Sequence, residues 1–262
     1  MALAMPWARH RERAATLRES HPHAAEMLAL YEALAGAWET IGEQAGGERP
    51  DASQLPGYVA GQALPLVVGA TLAAGPPALR EAVSRSPLGG RGRGADTVAA
   101  WLAGRPLPAT DRYLARASAA PILEVLPELA VATGRKAEDA RHCPTCGGAP
   151  QLSCFGASDE ALVTAPRWLL CSRCSALWTF PRLVCAGCGN QESTTLPIYS
   201  DPERLPGLRV DACEACRQYL VTIELAKDPA AVPVVDELVA LPLDLYARER
   251  GFSKITPNLM GI

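Results

Sequence analysis

Eight of the nine cysteines fall into four Cys-x-x-Cys pairs, and the pairs repeat. They are Cys143/Cys146, Cys171/Cys174, Cys185/Cys188 and Cys213/Cys216. Between Cys146 and Cys171 lie 24 residues, and 24 also lie between Cys188 and Cys213. An offset of 42 carries the first four cysteines onto the last four, Gly147 onto Gly189 and Arg167 onto Arg209. The pattern reads as one metal-binding unit written twice, head to tail.

The spacing has a physical reason. Two residues between cysteines let a tight turn aim both sulfurs at one point, with peptide N–H groups free to donate to them. Gly147 and Gly189 directly follow a second cysteine, where glycine most easily adopts a left-handed backbone. Two such turns joined by a hairpin-length connection close a tetrahedral cage of four sulfurs. Zinc or a single iron suits that cage, whereas calcium and magnesium require oxygen. The candidate ligands are therefore Cys143, Cys146, Cys171, Cys174, Cys185, Cys188, Cys213 and Cys216. The duplication favours sequential pairing, 143/146 with 171/174 and 185/188 with 213/216, because a duplicated segment must close its own site. The alternative is a cross-brace that pairs alternate knuckles.

The 262 residues are 48% apolar, enough for a sizeable core in one or two domains. Formal charge is −3, from 25 basic and 28 acidic residues. That balance gives no general electrostatic reason to bind nucleic acid or a lipid surface. Met1 to Ser20 lacks the apolar core and cleavage site of a secretory signal, and no twin-arginine export motif is present. The most apolar stretch, Leu64 to Ala74, is too short to span a bilayer. A soluble, cytoplasmic protein without membrane insertion is expected. In a reducing compartment, nine cysteines fit metal ligation better than disulfides.

The organisation predicts an all-α domain over 1–140, a first four-cysteine metal unit over 141–182, a second over 183–226, and a C-terminal helix and tail over 227–262. Residues 7 to 135 carry no cysteine and show helical spacing, as at Met27, Leu28, Tyr31, Leu34 and Trp38. Helical pieces are also expected near 57–74, 76–85 and 95–103. In a later helix Asp111 is a candidate N-cap, Gly134 a stop, and Pro121 and Pro127 breaks or kinks. Gly42 to Gly57 reads as a polar connector and Ser84 to Gly94 as a basic solvated loop. Short β-prone runs at Arg167–Leu170, Leu177–Phe180, Leu208–Val210 and Tyr219–Leu225 supply hairpins around the metals. A final helix from Lys227-Asp228-Pro229 should bury Val234, Leu238, Leu241 and Leu245, kink at Pro242 and end at Gly251.

Several residues invite a sharper reading than they support. Cys154, the ninth cysteine, is best taken as a small apolar residue packed beside the first site. His142 reads as a surface histidine, and His21 and His23 as helix-start residues without ligand partners. Trp168 and Trp178 either shield the second knuckle or pack its hairpin. Asp228, Asp236 and Asp244 do not share one helix face, so capping or solvation explains them.

Four segments resemble the FdhE family of formate dehydrogenase accessory proteins. They are Cys-Pro-Thr-Cys-Gly-Gly-Ala-Pro (143–150), Arg-Trp-Leu-Leu-Cys-Ser-Arg-Cys-Ser-Ala-Leu-Trp (167–178), Arg-Leu-Val-Cys-Ala-Gly-Cys-Gly (182–189) and Cys-Glu-Ala-Cys-Arg-Gln-Tyr (213–219). Ala226-Lys227-Asp228-Pro229 and the Gly-Phe before the tail fit as well. The match runs from about 140 to the C-terminus; the helical half fits in length and character. The resemblance implies an α plus small β fold: a helical domain, two tandem rubredoxin-like or zinc-ribbon-like four-cysteine units, and a C-terminal helix. It also implies a cytoplasmic, non-enzymatic factor that binds the formate dehydrogenase catalytic subunit during maturation. Two metal ions are implied, with iron favoured by the resemblance and zinc the default from spacing. Cys174 and Cys216 are followed by Ser175 and Arg217 rather than glycine, which predicts one regular and one less regular half in each site.

Two other functions compete with this one. A nucleic-acid-binding zinc ribbon needs clustered basic side chains. Residues 143–216 instead hold five arginines, no lysine and seven acidic residues, leaving −2 before any ion is counted. A thiol–disulfide enzyme would place its Cys-x-x-Cys at a helix start in a βαβ setting, whereas these pairs fall in turns between short strands.

Overall fold

The computed structural model describes residues 7–86, 88, 91–156 and 166–261. The chain divides into two compact units at Arg135/Lys136, with Leu259–Gly261 belonging to the first.

The first unit is built of helices. α1 (Trp7–Ser20) leads through a 3-10 turn (Pro22–Ala24), which holds His23, into the long α2 (Ala25–Glu48). α2 buries Leu28, Tyr31, Leu34, Trp38, Ile41 and Ala45 along one face. The apolar repeat continues past Gly42, which is itself buried, so the helix overruns the connector expected from Gly42. It stops at Arg49, whose left-handed backbone (φ 47°) closes the last turn onto the Ala45 carbonyl. α3 (Leu55–Tyr58), a π-turn (Val59–Ala63) and α4 (Leu64–Ala74) form one continuous helical run. The π-turn immediately precedes Pro65, which has no N–H to donate back along the helix. This run reaches 20 residues, long and apolar enough to cross a membrane, and so exceeds the Leu64–Ala74 stretch read from sequence. Its positions Leu55, Val59, Ala63, Val67 and Thr71 are buried at a spacing of four, which makes that face a core face.

α5 (Pro77–Ser84) and α6 (Arg91–Leu102) narrow the expected basic loop, of which positions 87, 89 and 90 lie outside the described residues. α6 begins early because Gly94 packs closely; a Cβ there would meet Ala60 and Leu64 at 3.2 Å. α7 (Ala109–Val125) has Pro108 at its N-cap, with Asp111 inside the first turn rather than capping. Pro121 sits within α7 and cannot bond the Ala117 carbonyl four residues back. The buried Trp38 indole N–H donates to that carbonyl at 2.8 Å. One sequence-visible lesion in α7 is thus repaired by α2, and the helix passes through Pro121 unbroken. Pro127 opens α8 (Pro127–Ala132), a favoured position for proline.

Among the described residues the second unit is a seven-stranded mixed sheet with a C-terminal helical layer. Its strands are β1 (Pro150–Phe155), β2 (Arg167–Cys171), β3 (Leu177–Thr179), β4 (Ile198–Ser200), β5 (Leu208–Cys213), β6 (Gln218–Glu224) and β7 (Ser253–Lys254). Their order is β3-β2-β1-β6-β5-β4, with β7 pairing β6. Each repeat supplies an antiparallel three-stranded meander. The meanders join head to tail through parallel pairing of β1 with β6, Leu152 opposite Val221 and Cys154 opposite Ile223. The two edges left over, β3 and β4, have three residues each, a length that discourages further strand addition.

Beyond the sheet, α9 (Pro233–Asp236), a 3-10 turn (Glu237–Ala240) and α10 (Leu241–Glu249) replace the single helix expected from Lys227. The start falls later because Asp228 forms a turn at Ala230, and the Asp236 carboxylate accepts the Val232 N–H at 2.7 Å. The buried face is Val235, Leu238, Val239, Leu243 and Ala247, while Leu245 is exposed. Gly251 (φ 77°) ends the run as expected. The fold class read from the sequence holds: a helical region, a small sheet carrying two tetracysteine clusters, and a C-terminal helix. The two four-cysteine units share one sheet.

Candidate metal centres

All four knuckles use the same turn. The Gly147, Ser175, Gly189 and Arg217 N–H groups donate to the carbonyls of Cys143, Cys171, Cys185 and Cys213 at 2.8–3.2 Å. Each of those four residues, which follow the second cysteine of a pair, has a left-handed backbone, with φ of 68°, 57°, 81° and 59°. Ser175 and Arg217 were expected to make their halves less regular; they adopt the glycine geometry instead. That conformation costs a side-chain-bearing residue about 1–2 kcal/mol, so the surroundings must enforce it. At Arg217 they visibly do. Its carbonyl accepts the Ser253 N–H at 2.9 Å, its guanidinium bonds the Arg250 carbonyl, and it lies 4.0 Å over the Phe252 ring.

The sulfurs converge in the sequential sets. Cys143, Cys146, Cys171 and Cys174 form one cluster, and Cys185, Cys188, Cys213 and Cys216 the other. In each, all four Sγ atoms lie within 4.8 Å of one another. Between knuckles the sulfurs stand 3.8 Å (143–174) and 3.4 Å (146–171) apart in the first, and 3.7 Å (185–216) and 3.8 Å (188–213) in the second. A tetrahedron with metal–sulfur bonds of about 2.3 Å has edges of about 3.8 Å, so the spacing fits one zinc or iron ion per cluster. The donor set is all sulfur, as such ions prefer. Gly148 confirms how tightly the first cage closes: a Cβ there would sit 2.9 Å from the Cys171 Sγ.

Backbone N–H groups reach the sulfurs, Arg173 to Cys171 at 3.4 Å and Gly187 to Cys185 at 3.3 Å. Asn190, which takes the place of Gly148 in the second repeat, donates its side-chain amide to Cys213 at 3.7 Å. Without a cation the four thiols of a cluster cannot all ionise. The Cys143 thiol is pushed far down by hydrogen bonds from Cys146, Cys171 and Cys174, while Cys171 and Cys174 are pushed up by Cys143 and Cys146. In the second cluster burial pushes Cys185 and Cys216 up. For Cys213 burial acts upward too, but N–H groups from Cys216, Ala215 and Asn190 bring it down to about 7. An ion of charge +2 removes this competition by stabilising every thiolate at once.

The two clusters differ in cover. All four sulfurs of the first belong to buried residues, whereas Cys216 is half-buried and Cys188 exposed. Trp178 donates its indole N–H to the Ala140 carbonyl at 2.9 Å, fixing the approach to Cys143, and Trp168 packs over Gly156. His142 pairs with Asp139 at 3.1 Å. His21 and His23 stack edge to face, and no metal-type cluster among the described residues includes them. Cys154 is buried in β1, and burial together with Glu237 raises its thiol to about 12, as befits an inert packing residue.

Two features beside the cysteines escaped the sequence reading. Arg167, buried on β2, donates to the Val184 carbonyl at 2.9 Å just before the second cluster and pairs with Asp211 on β5 at 3.5 Å. Its repeat mate Arg209 holds the same Asp211 at 2.9 Å. The 42-residue register exposes both arginines, but not their shared anion. The second is a buried charge cluster. Lys254 (3% exposed) bridges Glu237 (0%) at 2.7 Å and Asp244 (1%) at 3.1 Å. Tyr219 donates to Asp244 at 2.8 Å, and Gln151 bonds Glu237. Asp244 is therefore an interior ion-pair residue, not the solvated or capping group expected.

Residues 183–260 match the model of the family described as FdhE, C-terminal domain. A protein named FdhE homolog from Aquifex aeolicus is 35% identical over 120 residues, covering 46% of this chain and 41% of that one. Its counterpart in Haemophilus influenzae strain PittEE is 33% identical over 120 residues, covering 45% and 37%. The match thus spans less than half the length of these relatives. The crystal structure of the FdhE protein from Pseudomonas aeruginosa superposes with a TM-score of 0.68, over 99% of this chain and 97% of that one, at 21% identity. The whole chain therefore has the fold of that crystal structure, residues 183–260 match the FdhE C-terminal domain model, and the family resemblance read from the cysteine knuckles holds.

Proposed function

We propose that this protein is a cytoplasmic accessory factor that binds the catalytic subunit of a respiratory formate dehydrogenase during its maturation. The observation that carries the reading is the second tetracysteine cluster, which lies wholly within the residues that match the FdhE C-terminal domain. Cys143, Cys146, Cys171 and Cys174 hold one ion, iron or zinc, and Cys185, Cys188, Cys213 and Cys216 hold another. An ion in each cluster would cross-link its two knuckles. The chain's own residues do the rest: N–H groups spread the thiolate charge, and Arg167 ties the first meander to the approach of the second knuckle. In functional terms 1–140 is the helical part, 141–182 and 183–226 the two metal units, and 227–262 the helix and tail that brace them.

The protein acts by binding rather than by turnover. The deficit of positive charge around the cysteines, deepened by about −2 for each occupied cage by charge counting, argues against a nucleic-acid partner. The test is genetic and biochemical. Removing the protein should abolish formate dehydrogenase activity, the wild-type chain should restore it, and the chain should co-purify with the catalytic subunit. Full activity in the deletion strain overturns the reading.

A further inference from the structure

The two clusters descend from one repeated segment, so their differences are informative. Cys146 and Cys188 are repeat mates, yet Cys146 is 1% exposed and Cys188 lies open to solvent. At the first cage a Cβ on Gly148 would stand 2.9 Å from one sulfur and 3.3 Å from another. At the second, a Cβ on Gly187 would meet the Gln218 side chain at 2.6 Å, whereas one on Gly189, directly after Cys188, would meet nothing nearer than the Arg141 side chain at 3.9 Å, so the opening lies on the Cys188 side. Arg141 donates to the Gly187 carbonyl at 2.7 Å beside Cys185 and Cys188, while the rest of its guanidinium is paired with Asp139. An exposed ligand sulfur is the one a competitor can displace.

We infer that the second cluster is the exchangeable metal site, at which an external thiolate replaces Cys188, and that the first is a closed structural site. This rests on the proposal that each cluster holds an ion. The exchange would balance without oxidation or reduction: one thiolate would replace another on the ion, and where the incoming group is a thiol its proton would pass to the released Cys188 sulfur. A partner that presents a cysteine can therefore dock directly on the ion.

The repeat supplies its own control. The full-length chain is loaded with cobalt(II), its ions are counted, and the visible tetrathiolate absorption is followed. Cys188→Ala should lose about half of that absorption and regain it on addition of 2-mercaptoethanol, because the external sulfur fills the gap. Cys146→Ala should lose a similar share and not regain it. The wild-type chain keeps the test valid if Cys146→Ala does not fold. With iodoacetamide, peptide mapping should show Cys188 alkylated at least about tenfold faster than any cysteine of the first cluster. No rescue of Cys188→Ala, or alkylation of both clusters at one rate, overturns the inference. Fewer than two ions in the wild-type chain overturns the metal proposal with it; two ions with uniform alkylation overturns the inference alone.

Discussion

The helical unit and the sheet unit are held by different forces. In the first, Leu28, Leu30, Leu34, Ile41, Leu55, Leu114, Ile122 and Leu123 are essentially inaccessible, and apolar burial is the main stabilising term. In the second, the sulfur cages occupy the strand ends of each meander, and the interior holds a lysine, two carboxylates, an amide and a phenol. Beside them the unit buries Leu152, Leu169, Val210, Leu220, Val221 and Val235, so apolar packing contributes here too. With ions bound as proposed, its stability would depend in addition on the knuckles and on complete pairing inside. The first unit should therefore answer to volume changes, and the second to charge and metal.

The largest expected effect is metal removal. Structural tetrathiolate ions contribute about 10–16 kcal/mol of apparent binding energy, more than the whole stability of most domains. Chelation under reducing conditions should strip amide-exchange protection from β1, β2, β5 and β6 while α2, α4 and α7 keep theirs. Equal loss in both units would erase the contrast. Next comes Lys254→Met, which leaves two buried carboxylates without their cation. Breaking such a cluster from one side costs about 3–5 kcal/mol, read as a lower denaturation midpoint for the sheet unit. Leu34→Ala, a cavity in α2, should cost about 2–5 kcal/mol and leave bound metal per folded chain unchanged. Metal loss in that variant would show that the units do not depend on separate forces.

The smallest effect is a pH dependence. Burial raises Glu237 above the usual carboxylate range, while Lys254 and Gln151 pull the other way. A raised acid contributes stability that is complete below its unfolded pKa and is lost as pH rises through its folded pKa. Glu237→Gln removes that loss and leaves Lys254 paired with Asp244 alone. Relative to wild type, the variant should become steadily more stable as pH rises from acid to neutral. A pH-independent difference would mean that Glu237 titrates normally.

The grouping of the cysteines was the most legible part of the sequence. Eight cysteines in a 42-residue register give both sets, because ligand spacing is local and the duplication forces each unit to close itself. The helices of the first unit were readable from apolar spacing, although Gly42 concealed the continuation of α2. β1 was missed because Gln151 and Ser153 read as polar; both are buried, and Ser153 is within 2.6 Å of the Thr222 hydroxyl on β6. Asp244 misled for the same reason, since its partners Tyr219 and Lys254 are remote in sequence. The shared turn geometry at Ser175 and Arg217 was hidden too: at Arg217 the contacts that enforce it come from β7 and Phe252. Nor can a knuckle's own residues reveal what covers it, which is why the open face of Cys188 emerged from the fold.

The central claim is that each cluster grips one ion through four thiolates. Anaerobically purified protein, analysed for metal content alongside a count of accessible thiols before and after denaturation in chelator, tests it most directly. The account predicts two ions per chain and nine thiols freed on denaturation, so that Cys154→Ser keeps both ions and lowers the thiol count to eight. A well-folded chain that carries no stoichiometric ion, or whose knuckle cysteines prove to be joined as disulfides, would contradict it.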